Sequence, residues 1–479
     1  MKTSILLPVL IVGLLIGVPS FTDIPTGIRD AGLKPVTPDL GHPLGNDGYD
    51  MVIIAPALFS DALQPLIAHK NSHGIDTFLK KTEDIYSEYE GRDRAEQVKY
   101  YIKDALEQHS ITYVLLVGGR IGQLFRTHVP LRYANVDDDY THKQILSDLY
   151  FADIYKENGD FEDWDENGNG VFAEWTGRGM TPDDKMDLVP DVCLGRLPCR
   201  SNREVTDIVN KIIAYENNAV PTEQCNNILL IGGDTNPGMG DPFPFEGESC
   251  CDWTLTYLPG FASTKLYVSD ETMTGPDDFI SAFNEGYGFT LYHGHGLQDR
   301  LETYKPNSTE TVDIFHNDYV AQLNNDLLPV MVVGCCLTTD FDTSILNFLD
   351  FINNRKQHHY LTNVRTECVR ECLGWNMVKK PYGGSIAHIG SSSTAWGSTG
   401  DANHDDVPDS VQNGYTSGLC TELFRAYGEA GKTILGEIHR DALTRVIEDN
   451  NARANKVQCK CVQEFILLGD PSLNIGGYQ

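Results

Sequence analysis

The stretch Gly288–Phe341 constrains this chain most. It reads G-F-T-L-Y-H-G-H-G, then a polar loop and a short helical segment, then L-P-V-M-V-V-G-C-C-L-T-T-D-F. Phe289–Tyr292 and Val330–Val333 are brief, β-branched or aromatic, and bounded by glycine or proline, so both are expected to be buried strands. Each runs into a reactive side chain beside glycine: His295 between Gly294 and Gly296, and Cys335–Cys336 after Gly334. In an open parallel sheet, ligands bind outside the carboxyl ends of the strands. A histidine at one such end and a cysteine at a neighbouring one can meet despite their separation in sequence. An imidazole that takes the thiol proton leaves a thiolate, the nucleophilic form of cysteine. Gly-His-Gly alone is more often a turn, and a buried cysteine is more often a small core residue. The combination is what points to chemistry.

The same residues resemble the clan of caspases, legumain and gingipains, and most closely the gingipain-type cysteine peptidases. Tyr292, Gly294, His295 and Gly296 match that family's Tyr-x-Gly-His-Gly segment, and Pro329, Cys336, Asp340 and Phe341 match the register around its nucleophile. The likeness extends to T-Y-V-L-L-V-G at 112–118, V-P-D-V-C-L-G-R-L-P at 189–198 and L-G-D-P-S-L at 468–473. It implies a caspase-like fold: doubly wound, mostly parallel α/β sheets with flanking helices in two fused subdomains. It also implies peptide hydrolysis through an acyl-enzyme, with Cys336 as nucleophile and His295 as base and then acid. Asp234, after the strand expected at 228–233, stands where the family places an acidic residue against the histidine. The backbone N–H groups of Gly296 and Cys336 are the expected oxyanion donors. Cys335 is the rival nucleophile, and the matched register favours Cys336.

The net charge of −31, from 37 basic and 68 acidic residues, argues against nucleic acid and anionic membrane surfaces as partners and favours divalent cations or cationic substrates. Protein or peptide substrates are the expected partners; nothing in the sequence bears on oligomeric state. No run after the N-terminus approaches the ~20 apolar residues of a membrane span. Residues 1–20 carry one lysine, an apolar run from Ser4 to Val18 and small residues beyond it, which reads as a secretory signal with cleavage near Ser20. The expected location is therefore outside the cell or on its surface. Twelve cysteines in an exported chain suggest disulfides, with Cys193, Cys199, Cys225, Cys368, Cys372, Cys420, Cys459 and Cys461 as candidates.

Residues 21–48, rich in Pro, Gly and Asp, read as a leader or linker. Strand and helix patterns alternate from Tyr49, which predicts a parallel sheet with helices on both faces. The expected division is an N-terminal α/β subdomain at 49–200 and a catalytic subdomain at 201–479. Ser201-x-x-Glu204 forms a capping box opening a helix over 203–215. Within the first part, Asp165-x-Asn167-x-Asn169-Gly170 has the oxygen spacing and glycine turn of an EF-hand-like calcium loop, with Val171 at its main-chain position and Glu174 close by. Thr176 replaces the usual terminal Glu. Structural Ca2+, which the resemblance also implies, is the expected cofactor, with no organic cofactor. Asp401-x-Asn403-x-Asp405-Asp406 is a second candidate, equally readable as an acidic surface loop.

For the pocket that receives the residue before the cut, the resemblance points to Gly247-Glu248-Ser249. Cys250 stands where the arginine-cutting members have Asp; Glu248 is the substitute carboxylate, and Trp396 resembles the aromatic wall. Cleavage after Arg or Lys is expected, with a small or apolar preference as the alternative. Two other readings remain: a zinc hydrolase ligated by His293, His295 and a cysteine, or a non-catalytic, calcium-stabilised binding protein on a peptidase scaffold. His388 reads as a core or turn histidine.

Overall fold

A ten-stranded sheet organises the chain, in the order β2-β1-β3-β7-β16-β15-β14-β10-β8-β9. Its strands are β1 (Met51–Ala55), β2 (Thr77–Lys81), β3 (Tyr113–Val117), β7 (Cys193–Leu197), β8 (Asn227–Gly232), β9 (Ala262–Tyr267), β10 (Phe289–His293), β14 (Val330–Gly334), β15 (Ala387–Ser391) and β16 (Phe465–Leu468). All neighbours pair parallel except β15 with β16. Two three-stranded sheets flank it: β4 (Tyr133–Val136) with β5 (Ile145–Leu146) and β6 (Glu174–Trp175), and β11 (His295–Leu297), β12 (Arg300–Tyr304) and β13 (Thr311–His316). The computed structural model describes residues 48–137, 144–176, 181–218, 222–237, 245–305, 308–347, 368–402, 404–412 and 414–478. The expected signal peptide and nearly all of the expected leader lie outside these residues, as does Asn403.

Residues from Asp47 onward make one compact unit. The strands before residue 200 and those after it share the one sheet, joined where Leu468 of β16 meets Arg196 of β7. This seam gives the segment after Glu464 its role. The first strands close against it through Lys70, whose fully buried Nζ lies 2.8 Å from Glu216 Oε1 and 2.9 Å from Asp470 Oδ2. Asp470 belongs to the L-G-D-P-S-L segment singled out in the sequence.

The central strands β10 and β15 are buried along their whole length because both faces are covered. Alternate residues enter different cores. Ile228, Leu230, Phe289, Leu291, Val330 and Val332 pack into the larger core, with the helices Tyr415–Gly428 and Leu435–Asp449. Leu229, Ile231, Tyr292, Met331 and Val333 pack into a second core with Phe279, Phe283 and Leu373. Ser201 caps the helix Asn202–Asn217 by accepting the Glu204 N–H, as expected. The hairpin β11–β13 replaces most of the loop expected after His295.

Among the described residues, six of the cysteines expected to bridge are unbridged. Cys193, Cys199, Cys372, Cys420, Cys459 and Cys461 are free thiols buried in the interior. They act as small apolar residues distributed through the core.

One buried lysine, its amine lowered by burial to about 7, fixes the approach to β15. Lys211 donates to the main-chain oxygens of Lys380 (2.8 Å), Val378 (2.9 Å), Ser385 (2.9 Å) and Gly383 (3.0 Å). Replacing it strands several buried carbonyls. Lys211→Met is expected to cost about 3 kcal/mol of folding free energy in urea titrations, and a loss under about 0.5 kcal/mol would contradict this role.

Candidate active site

The site begins with a register. β10 and β14 pair in parallel with His293 opposite Gly334, so the residues two steps further on, His295 and Cys336, leave the sheet at the same level. A Cβ on Gly296 would lie 2.5 Å from both Cys335 Sγ and the Cys336 carbonyl oxygen. Only glycine lets the histidine arm and the cysteine turn come this close. Tyr292 secures the arm by donating its hydroxyl to the His295 carbonyl at 2.9 Å. On the other arm Leu337, directly after Cys336, holds a left-handed φ of 64°, a conformation that costs a residue with a branched side chain and persists where its surroundings enforce it.

The two cysteines face opposite ways. Cys335 is buried, 2% exposed, in the second core with Met331 and Val333. Cys336 is partly exposed, and its Sγ accepts the Ala395 N–H at 3.2 Å, at the end of the segment leaving β15. Burial pushes the Cys336 thiol up to about 11, with the Ala395 N–H pulling the other way. Burial also lowers His295 from the ordinary histidine value, opposed by its bond to Thr235. At rest, therefore, both the thiol and the imidazole are neutral. His295 Nε2–H donates to the Thr235 carbonyl at 2.8 Å, which leaves Nδ1 as the ring's basic nitrogen. Tyr304 stands edge-on to the ring, 5.3 Å between centroids.

The remaining expected residues separate into near and far. Asp234 is buried just before Thr235; its Oδ1 accepts the Asn236 N–H and its main-chain oxygen accepts from Tyr304 N and Thr303 Oγ1. Glu248 has both oxygens engaged by Ser269, Oε1 by its N–H at 2.9 Å and Oε2 by its hydroxyl at 2.6 Å. Cys250 is buried and donates to the Ser410 carbonyl. Trp396 is half-buried against the larger core. His388 is a core histidine, as expected, lowered by burial to about 3.

His293 is enclosed on Gly334 and lowered by burial to about 4, with Nε2 lacking a hydrogen-bond partner. Among the described residues, the one group of three His, Cys, Asp or Glu side chains close enough to share a metal ion is Asp153, Glu162 and Asp187. The zinc reading at His293 and His295 therefore lacks a third ligand there.

The Asp165 loop folds on itself. Asp165 accepts the N–H groups of Asn169 and Gly170, Asn169 Oδ1 accepts that of Val171, and Asn169 donates to Glu174. Gly170 turns the chain at φ 82°. Arg92 donates to Asp165 at 2.7 Å.

Three groups were missed from sequence. The Thr235 carbonyl and the Ala395 N–H are main-chain groups, which carry no sequence signal. Glu246 sits beside the recognised Gly247-Glu248-Ser249, and accepts the Thr235 N–H at 3.1 Å and hydroxyl at 3.0 Å.

A largely parallel sheet covered on both faces, with histidine and cysteine at the ends of adjacent strands, is a caspase-like α/β fold. Peptidase family C25 matches residues 45–476, and the chain belongs to that family. Gingipain R2 of Porphyromonas gingivalis is 22% identical over 299 residues, 61% of this chain and 32% of that protein. Lys-gingipain of the same organism is 23% identical over 220 residues, 44% of this chain and 10% of that protein. The chain thus spans about a third of the length of Gingipain R2 (32%). The crystal structure of the Arg-specific cysteine proteinase gingipain R superposes with a TM-score of 0.59 at 18% identity, over 90% of this chain and 79% of that one, a likeness of fold.

Solvent access separates the two thiols. Brief iodoacetamide treatment of the native protein is expected to label Cys336 and spare Cys335 in peptide mass mapping; labelling of Cys335 first would reverse the assignment.

Proposed function

We propose that this chain is an exported cysteine endopeptidase that works through His295 and Cys336. The observation that carries the reading is the β10–β14 register, His293 opposite Gly334, with His295 Nε2 already committed to Thr235. His295 Nδ1 takes the Cys336 proton as Sγ attacks the peptide carbonyl. The N–H groups of Gly296 and Cys336 receive the oxyanion, and the close approach of Gly296 to Cys336 supports this pairing. His295 then gives its proton to the leaving amine, and water releases the acyl group from Sγ. Asp234 is the acidic residue that the resemblance sets against the histidine.

Cleavage after Arg or Lys follows the resemblance to the arginine-cutting family members. A specific observation favours a second reading, a small or apolar residue before the cut. Glu248 is held by Ser269, and a thiol rather than a carboxylate stands at Cys250. A positional library of fluorogenic peptides decides between them, and Glu248→Gln should leave cutting unchanged under the second reading.

Export rests on the N-terminal run. Among the described residues no helix is long and apolar enough to cross a membrane. The donor set at Asp165, Asn167, Asn169, Val171 and Glu174 is oxygen throughout, which suits Ca2+, and the turn at Gly170 brings these residues together. Arg92 neutralises part of the loop's charge. Bound Ca2+ would hold this loop against β4 and β6 and take no part in the reaction.

Cys336→Ala and His295→Ala are expected to abolish peptide hydrolysis in folded protein, while Cys335→Ala keeps most of it. Activity lost only with Cys335 would move the nucleophile by one position. The pH profile follows from the burial of His295. Its imidazole must be neutral to accept the thiol proton, and its pKa lies below the ordinary 6.5. kcat/KM should therefore hold through pH 6.5 and fall only below it; an acid limb above pH 6.5 would contradict this. Chelation of protein shown to contain calcium should lower Tm by about 5 °C, and an unchanged Tm would remove the ion from the account.

A further inference from the structure

Glu246 opens the helix Glu246–Leu255 and is 4% exposed. Its Oε2 accepts both donors of Thr235, the main-chain N–H at 3.1 Å and the hydroxyl at 3.0 Å. The carbonyl of that same residue accepts the His295 Nε2–H at 2.8 Å. A buried carboxylate thus lies one residue away from the catalytic imidazole, and its second oxygen, Oε1, is buried without a hydrogen-bond partner. An acid in the first turn of a helix is often placed there by the dipole alone. Glu246 instead spends an oxygen on a residue outside its helix, and that residue is the one holding the histidine.

Resting on the dyad reading above, we propose that Glu246 is a positioning residue for His295. Its double grip fixes the orientation of Thr235, so the carbonyl keeps the imidazole in the tautomer with Nδ1 free. Its negative charge favours the imidazolium that forms when Cys336 gives up its proton. The ionisable groups facing this assembly come from five elements, one of them the helix Lys456–Glu464, whose Glu464 raises and Lys460 lowers the Cys336 thiol. Asp234 follows β8; burial pushes the Glu246 carboxyl up, and Asp234 adds to it. Tyr304 of β12 lies against the His295 ring. Cys335 and Cys336 follow β14, and His293 ends β10. Apart from Lys460, which is paired with Glu464 at 2.8 Å, none of these side chains is a cation in the resting state described above, and Glu246 reaches the imidazole through Thr235. Phe245, immediately before Glu246, holds a left-handed φ of 69°, a conformation maintained against its own preference.

The test uses the full chain and two readouts. The first needs no substrate: the rate of Cys336 alkylation by iodoacetamide against pH reports the proton equilibrium between Cys336 and His295, with His295→Ala as control. The second is kcat and KM on a fluorogenic peptide. Glu246→Gln keeps an acceptor for Thr235 and removes the charge. It is expected to slow Cys336 alkylation at pH 7 about tenfold, the effect of roughly one pKa unit, and to lower kcat by a similar factor with KM nearly unchanged. Thr235→Val removes the hydroxyl and keeps both main-chain groups, and should move both readouts the same way by less. If Glu246→Gln fails to fold, Thr235→Val carries the test alone. Native alkylation profile and native kcat in the folded variants would overturn the proposal. A wild-type chain that cuts no peptide would defeat the peptidase reading, while the alkylation profile would still report on Glu246.

Discussion

The parallel pairing of β10 with β14 is the constraint on which the rest depends. His293 faces Gly334 across it, so the two short arms that carry His295 and Cys336 leave the sheet at one level. A slip of one residue would invert each strand's two faces. Both faces are loaded: Phe289, Leu291, Val330 and Val332 fill one core, and Tyr292, Met331 and Val333 fill the other. The register that assembles the site is therefore held by apolar burial on two sides, and the site needs no specific bond of its own to keep its strands in line.

Around this centre, buried basic groups tie distant segments to the strand ends. Arg196 of β7 is fully buried, grips Asp148 with two nitrogens at 2.7 Å and lies over the ring of Phe341, 5.0 Å from its centroid. Phe341 closes the turn that begins at Cys336, so the L-G-R-L-P and D-F segments of the sequence touch. Lys70 draws Glu216 and Asp470 to the first strands. Lys211 gathers four carbonyls ahead of β15. Each pairs or fully bonds a buried basic group, the condition under which such a group is tolerated inside a protein.

The electrostatics of the pair follow from enclosure. Burial holds the thiol and the imidazole neutral. The groups that offset this burial are main-chain ones, the Ala395 N–H on sulfur and the Thr235 carbonyl on the ring. They cost no reorganisation, because the segments that carry them are already packed.

The amino-acid sequence by itself determined the central strands, the helices between them and the placing of His295 and Cys336 just beyond the ends of adjacent strands. Continuous apolar runs bounded by glycine have one good solution, a strand buried on both faces, and period two then sends Cys335 and Cys336 to opposite sides. Only the tertiary structure decided which partners those side chains meet. Thr235 and Ala395 act through groups every residue shares, so no letter marks them. Glu248 was legible as a carboxylate near the pocket, but Ser269 comes from a different strand end and takes both its oxygens. Glu246, two positions earlier on the same helix, turns toward Thr235 instead. Cys193, Cys199, Cys372, Cys420, Cys459 and Cys461, expected to bridge, are instead free thiols buried as small core residues. Local pattern specifies which face of an element is buried; which atoms converge there depends on contacts between residues far apart in the chain.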